Sequence, residues 1–216
     1  MTTPDDLVDI TELSSRRGRL SVDYHLGTWI PCPPAFPAGY DRAKWALTFA
    51  DGFSRRPGLD PSAREIKDLA ATLTRIHEYT YGNVACHMCY IHQPHPTFFP
   101  LPVYLATWQA TGDRDEAVRR LANADDPDVI QPPAVEEFTA RHLGAGLKAL
   151  RFGRQPGRQR EGDRVYAALN YAWRDEELET DLRVFAATTD VGRLQLAMAD
   201  IDELVNATRL VAAPQA

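Results

Sequence analysis

The stretch Arg164-Val-Tyr-Ala-Ala-Leu-Asn-Tyr-Ala-Trp173, with Leu182-Arg-Val-Phe-Ala-Ala-Thr188 after it and the run to Leu210, decides how this chain folds. Val165, Ala167, Leu169, Tyr171 and Trp173 alternate with Tyr166, Ala168, Asn170 and Ala172, the period of two that marks a strand. Arg174–Glu179 is short and polar, as a hairpin connection should be, and Leu182–Thr188 reads as the returning strand. Asp190 can then cap a helix on which Leu194, Met198, Ile201, Leu204, Val205 and Thr208 recur at steps of three and four. Strand, turn, strand and helix predict a sheet with a helix laid across it.

Working outward from that block, Glu136–Phe152 supplies a further strand or a bent pair, kinked near Gly144 and Gly146. A helix is predicted from Asp113, with Glu116 placed to complete a capping box, and it ends before Asp125-Asp126-Pro127. Leu101–Ala110 and Val84–Ile91 read as strands on either side of a loop dense in His, Pro and Phe. Ile66, Leu69, Ala70, Leu73 and Ile76 draw the apolar face of a helix reaching His77, for which Asp60 is the expected N-cap and Pro61 the first helical residue. Asp41 caps an earlier helix running to about Arg55, with Trp45, Phe49 and Phe53 as a core stripe. Pro31, Pro33, Pro34 and Pro37 forbid helix before Tyr40. Arg19–Pro31 reads as the first strand. Residues 1–18 are expected to form an arm, 19–211 the domain and 212–216 a tail.

With 216 residues and 44% hydrophobic side chains, the chain can bury a proper core. Lys and Arg total 24 against 30 Asp and Glu, a net charge of −6 that argues against broad nucleic-acid or anionic-membrane binding. No apolar run approaches the ~20 residues of a membrane span. Met1-Thr-Thr-Pro-Asp-Asp is acidic where a secretory signal is basic and then apolar, so the expected location is cytoplasmic. Three cysteines, an odd number, make no disulfide framework.

Leu143-Gly-Ala-Gly-Leu, the strand ending Tyr171-Ala-Trp173, Val184-Phe-Ala-Ala-Thr-Thr189 and Ile201-Asp-Glu-Leu-Val-Asn-Ala-Thr-Arg209 succeed one another as in PsbP-like proteins. Over residues 135–210 the chain resembles the small actinobacterial members of that superfamily. The resemblance implies an α+β fold: one α/β/α sandwich, an antiparallel sheet with helices on both faces. It implies no shared catalytic residue, because members mostly act by binding something.

Chemistry is most concentrated at Cys86-His-Met-Cys89-Tyr-Ile-His92-Gln-Pro-His95, which with His77 gathers four of the six histidines. Zinc takes four N or S ligands, and Cys-x-x-Cys supplies half of them from a tight turn. Here the spacing falls on a strand, where a step of three sends Cys86 and Cys89 to opposite faces. No metal and no cofactor are therefore expected. The alternative is a small metal- or thiol-dependent enzyme centred on residues 77–95, with His87, Cys89, His92 and His95 as ligands. Lys148, Arg151, Arg154, Arg158, Arg160 and Arg164 crowd a hairpin that reads as a solvated turn, or else as a dock for an anion. The loop from His92 to Pro100 sets Phe98 and Phe99 between prolines, and stiff loops lose little entropy on binding. His92, His95, Phe98 and Phe99 are accordingly the expected binding residues. The functional expectation is a non-enzymatic cytoplasmic binding protein of adaptor, chaperone or immunity type, whose partner is another protein rather than a membrane or nucleic acid.

Overall fold

The computed structural model describes residues 18–54, 60–155 and 163–212. In chain order these form β1 (Gly18–Val22), β2 (Trp29–Cys32), α1 (Arg42–Ser54), α2 (Ala63–Asn83), β3 (Met88–His92) and β4 (Leu101–Gln109). Then come α3 (Arg114–Ala122), β5 (Ala134–Ala140), β6 (Gly144–Gln155), β7 (Arg164–Asp175), β8 (Thr180–Thr188), α4 (Val191–Asn206) and β9 (Thr208–Ala212). The expectations for residues 1–17, the Phe53 side chain, Arg158, Arg160 and residues 213–216 lie outside the described residues.

Seven strands make one antiparallel sheet in the order β2-β3-β4-β8-β7-β6-β5. The β7–β8 hairpin sits inside it, with Leu169 opposite Ala186 and Tyr171 opposite Val184. Alternation sends Ala167, Leu169, Tyr171 and Trp173 to one face, where α4 covers them with Leu194, Ala197, Ile201, Leu204 and Val205. Trp173 and Tyr171 are fully buried there and stack with centroids 6.0 Å apart. Each such large side chain contributes roughly 1.5–3 kcal/mol by leaving water. The indole of Trp173 lies against the backbone of Gly146, where any side chain would collide with it, and donates to Gly144 O at 3.2 Å. On the opposite face α1 and α2 pack over the β2–β3–β4 end and α3 over β6 and β7. The fold is thus α+β, a sheet with helices on both faces.

Three of the four helices start at the expected N-cap residue, although at Asp113 only the bond from Glu116 N is made and not the full capping box. Asp41 accepts from Lys44 N at 2.8 Å, Asp113 from Glu116 N at 3.0 Å and Asp190 from Arg193 N at 2.9 Å. The second helix differs, because its N-cap is Ser62 and not Asp60. Ser62 Oγ accepts from Glu65 N while Glu65 Oε2 accepts from Ser62 N at 2.7 Å. This two-way box satisfies two amides, against the one that Asp60 could satisfy.

Other expectations need correction. Arg19–Pro31 is not one strand: β1 and β2 belong to different sheets, separated at the turn where Thr28 N and Trp29 N both bond His25 O. Thr208 is off the helix and opens β9, which pairs antiparallel with β1 from Val22↔Thr208 to Gly18↔Ala212. That places Gly18 and Ala212 in strands, outside the expected arm and tail. Cys86 precedes β3 and packs into the same cluster as Cys89 and Cys32, so Cys86 and Cys89 do not sit on opposite faces. Lys148 belongs to no solvated turn: it is buried, 3.0 Å from Asp202 on α4.

Candidate functional site

The loop between β3 and β4 is held by two buried side chains. Gln93 is wholly buried, and its Nε2 donates to His95 O at 2.7 Å and to Phe98 O at 2.9 Å. Arg193, on the first turn of α4, donates from Nε to Phe99 O at 2.9 Å and from Nη2 to His92 O at 2.8 Å. Its guanidinium also lies 5.3 Å from the Phe98 ring centroid. Carbonyls that would otherwise let the loop drift are thereby tied to the domain, and the loop keeps one shape.

The pinned loop turns two apolar side chains outward. Phe98 is 38% and Phe99 62% exposed. One groove of about 580 Å³ runs between His95–Pro100 and the start of α2, where Ile66, Leu69 and Thr72 form the wall. A second, about 440 Å³, lies between Phe99, Pro102, Tyr104 and the Ile76–Tyr79 turn of α2. Phe99 and Pro100 belong to both, so they form a ridge between two hollows. Asp60, Glu65 and Asp68 rim the first groove, and Arg75 lines the second.

The four expected binding residues divide. Phe98 and Phe99 are on the surface, and His95 lies beside them, its Nδ1 accepting from Thr97 N at 3.3 Å. His92 is not available. It is 1% exposed, and Arg193 Nη2, which can only donate, is 2.8 Å from its Nδ1. The ring proton therefore resides on Nε2, which donates to Asp200 Oδ2 at 2.6 Å. Burial holds the His92 pKa below its ordinary value, against the opposing pull of Asp200. His92 is a neutral clamp between β3 and α4.

The alternative ligand set does not converge. His87 Nδ1 accepts from Thr107 N at 3.0 Å, both nitrogens of His92 are engaged, and His95 is bound to Thr97. Cys89 faces the α1–α2 side, 4.0 Å from Thr80 Oγ1, while His92 faces α4. Burial raises the Cys89 thiol well above its ordinary pKa and pushes Cys86 up to about 12, so neither is a thiolate at neutral pH. Among the described residues no group of three or more His, Cys, Asp and Glu side chains could hold a metal ion.

Gln93, Arg193 and Asp200 escaped the sequence reading, yet one signal was present. Arg193, Ala197, Ile201 and Val205 follow each other at steps of four, so an arginine stands on the buried stripe of α4. A charge in that position needs a buried partner, and His92 with the loop carbonyls provides it. No helix among the described residues is long and apolar enough to cross a membrane. Compared with known proteins, the chain matches no family model and no curated protein sequence.

Proposed function

We propose that this chain is a non-enzymatic cytoplasmic binding protein, of adaptor, chaperone or immunity type, that captures another protein through Phe98 and the Phe99–Pro100 ridge beside it. We also propose kinship with the PsbP-like proteins, whose expected architecture is a sheet with helices on both faces. The observation that carries the function is the pinned loop: two outward phenylalanines held by Gln93 and Arg193, Phe98 in the first groove and Phe99 between the two. Preorganised apolar area of this kind binds without a large ordering cost. The occupant that fits is a polypeptide segment with apolar anchors for the two grooves and a basic residue to meet the acidic rim of the first. The thiol and imidazole groups of the enzyme alternative support no such site, being protonated, engaged or apart.

The test is the double variant Phe98→Ala/Phe99→Ala, assayed by thermal unfolding and by capture of the proteins encoded beside this one. Partly exposed side chains outside the core change stability by roughly 0.5 kcal/mol each. Burying each phenylalanine against a partner contributes roughly 1.5–3 kcal/mol, so capture should weaken at least about tenfold while the unfolding temperature barely moves. Unchanged capture by the stable variant would place the interface elsewhere. One metal per chain in the purified protein, lost in Cys89→Ser, would favour the enzyme alternative.

A further inference from the structure

A larger cleft, about 1040 Å³, opens between α3 with the turn after it and the sheet face of β6, β7 and β8. It shares no residue with the two grooves beside Phe99. Arg183 of β8, Arg151 and Arg154 of β6, and Tyr166 of β7 line it from the sheet side. Glu116, Arg119, Arg120, Asp125, Asp126 and Asp128 line it from the side of α3 and its turn.

The carboxylates and arginines do not cancel evenly. Asp125 is taken by Arg119 through a two-pronged contact, with Nε to Oδ2 at 2.9 Å. Asp126 is paired with Arg151. Arg183 has no carboxylate partner among the described residues. Its Nε and Nη2 both donate to the single oxygen Asn170 Oδ1, at 3.2 and 2.6 Å, and its guanidinium lies 4.4 Å from the Phe185 ring centroid. Burial and the neighbouring Arg151 charge push its pKa down to about 10, so it remains a cation at neutral pH.

Donors without acceptors collect around it. Asn170 is 1% exposed and its Nδ2 has no hydrogen-bond partner; Arg151 Nε is buried and equally unpartnered. A buried donor left in this state is costly, and a protein retains it where something else supplies the acceptor. Over the whole lining five arginines, with Arg120 among them, stand against the four carboxylates of Glu116, Asp125, Asp126 and Asp128, which leaves one positive charge in excess. A phosphate monoester carries about −1.5 to −2 and offers three acceptor oxygens.

The organic part has a wall ready for it. The Tyr166 ring lies across Gly153, where any side chain would collide with the ring, and the Arg151 guanidinium is 5.8 Å from that ring's centroid. Ala168, Ala172 and Ala187 keep the sheet between the arginines low, since each contributes only a methyl group on the face that carries Arg183. The volume is at the upper end of the roughly 300–1,000 Å³ that small-molecule sites occupy, far more than an inorganic ion fills.

We infer that this cleft binds a phosphate-bearing small molecule, its phosphate on Arg183, Arg151 and Arg154 and its organic part beside Tyr166.

The experiment titrates the full chain with AMP, with inorganic phosphate and with adenosine at constant ionic strength, by calorimetry and thermal unfolding. AMP should bind with a Kd of about 1 mM or tighter and raise the unfolding temperature, phosphate should bind more weakly, and adenosine should not bind. Arg183→Gln should weaken AMP at least about tenfold. Because that side chain is embedded in the sheet, Arg154→Gln serves as the second variant: Arg154 is exposed, so the fold is untouched, and a loss of about threefold or more is expected. No binding of AMP or phosphate up to about 10 mM, or affinity unchanged in Arg154→Gln, overturns the site. Equal affinity for AMP and inorganic phosphate overturns the organic half of it.

Discussion

Single residues carry much of the specificity of this structure, and they do so by engaging several partners at once. Arg193 can only donate, and that fixes the tautomer of His92, the bond to Asp200 and the position of the Phe99 carbonyl together. The cysteines are engaged differently. Cys32 and Cys89 face each other across β2 and β3, and Cys86 joins them against the same core cluster, where Thr80 is also buried. Cys32 and Cys89 are 3% and 2% exposed, and burial holds the thiols of Cys86 and Cys89 in the protonated form. Reactivity follows the thiolate and access to it: Cys32 and Cys89 offer no access, and the half-buried Cys86 offers no thiolate. The folded protein is therefore expected to be inert to a thiol-titrating disulfide reagent near neutral pH, with all three cysteines reacting once it is unfolded. Rapid reaction of one native thiol per chain would contradict this account of the cluster.

At the scale of elements, the β7–β8 hairpin is fastened at its turn by an ion pair. Arg174 Nε and Nη2 meet Asp181 at 2.7 and 2.9 Å, with both side chains 4% exposed, and the same guanidinium donates to Thr111 O and Gly112 O. The hairpin is thus locked to the β4–α3 connection. Removing one partner leaves the other charge buried, at a cost of about 3–5 kcal/mol. Asp181→Ala should lower the urea midpoint correspondingly, whereas a change below about 1 kcal/mol would show that water replaces the carboxylate. The strength of this hairpin explains why the 164–188 region was legible: alternation, turn chemistry and cap all favour one conformation. Elements with mixed local signals were read less well. Asp60 and Ser62 both offer an N-cap, and only the reciprocal bond with Glu65 separates them. Thr208 fits the α4 stripe by spacing, yet its hydroxyl bonds Leu204 O and its backbone pairs with Val22, a partner far off in sequence. The Phe98–Phe99 loop was visible because its signal is local. The arginine cleft was visible only in part: Arg151 and Arg154 belong to the cluster read as a solvated turn or else as an anion dock, whereas α3, Tyr166 and Arg183 join them only in the folded chain.

For the molecule as a whole, three histidines act together. His77, His87 and His92 each have a pKa held below the ordinary 6.5, in every case chiefly by burial. As pH falls, the unfolded chain takes up these protons first, so the unfolded state binds more of them and stability rises with pH through this window. Unfolding temperature should accordingly decline on acidification from about pH 7.5 toward pH 5, before the carboxylates titrate near about 4. His87→Gln should flatten part of that decline, and a profile indifferent to pH over the range would mean that the imidazoles are hydrated. The β1–β9 pair shapes a different response. Gly18 and Ala212 face each other at the same end of that two-stranded sheet, and Val22 faces Thr208 at the other. Tension drawn through residues 18 and 212 peels these strands apart one bonded pair after another, so each rung bears the load alone. The pair acts as a mechanical fuse: it opens at low force and lengthens the chain at both ends, while the seven-stranded sheet is still unloaded.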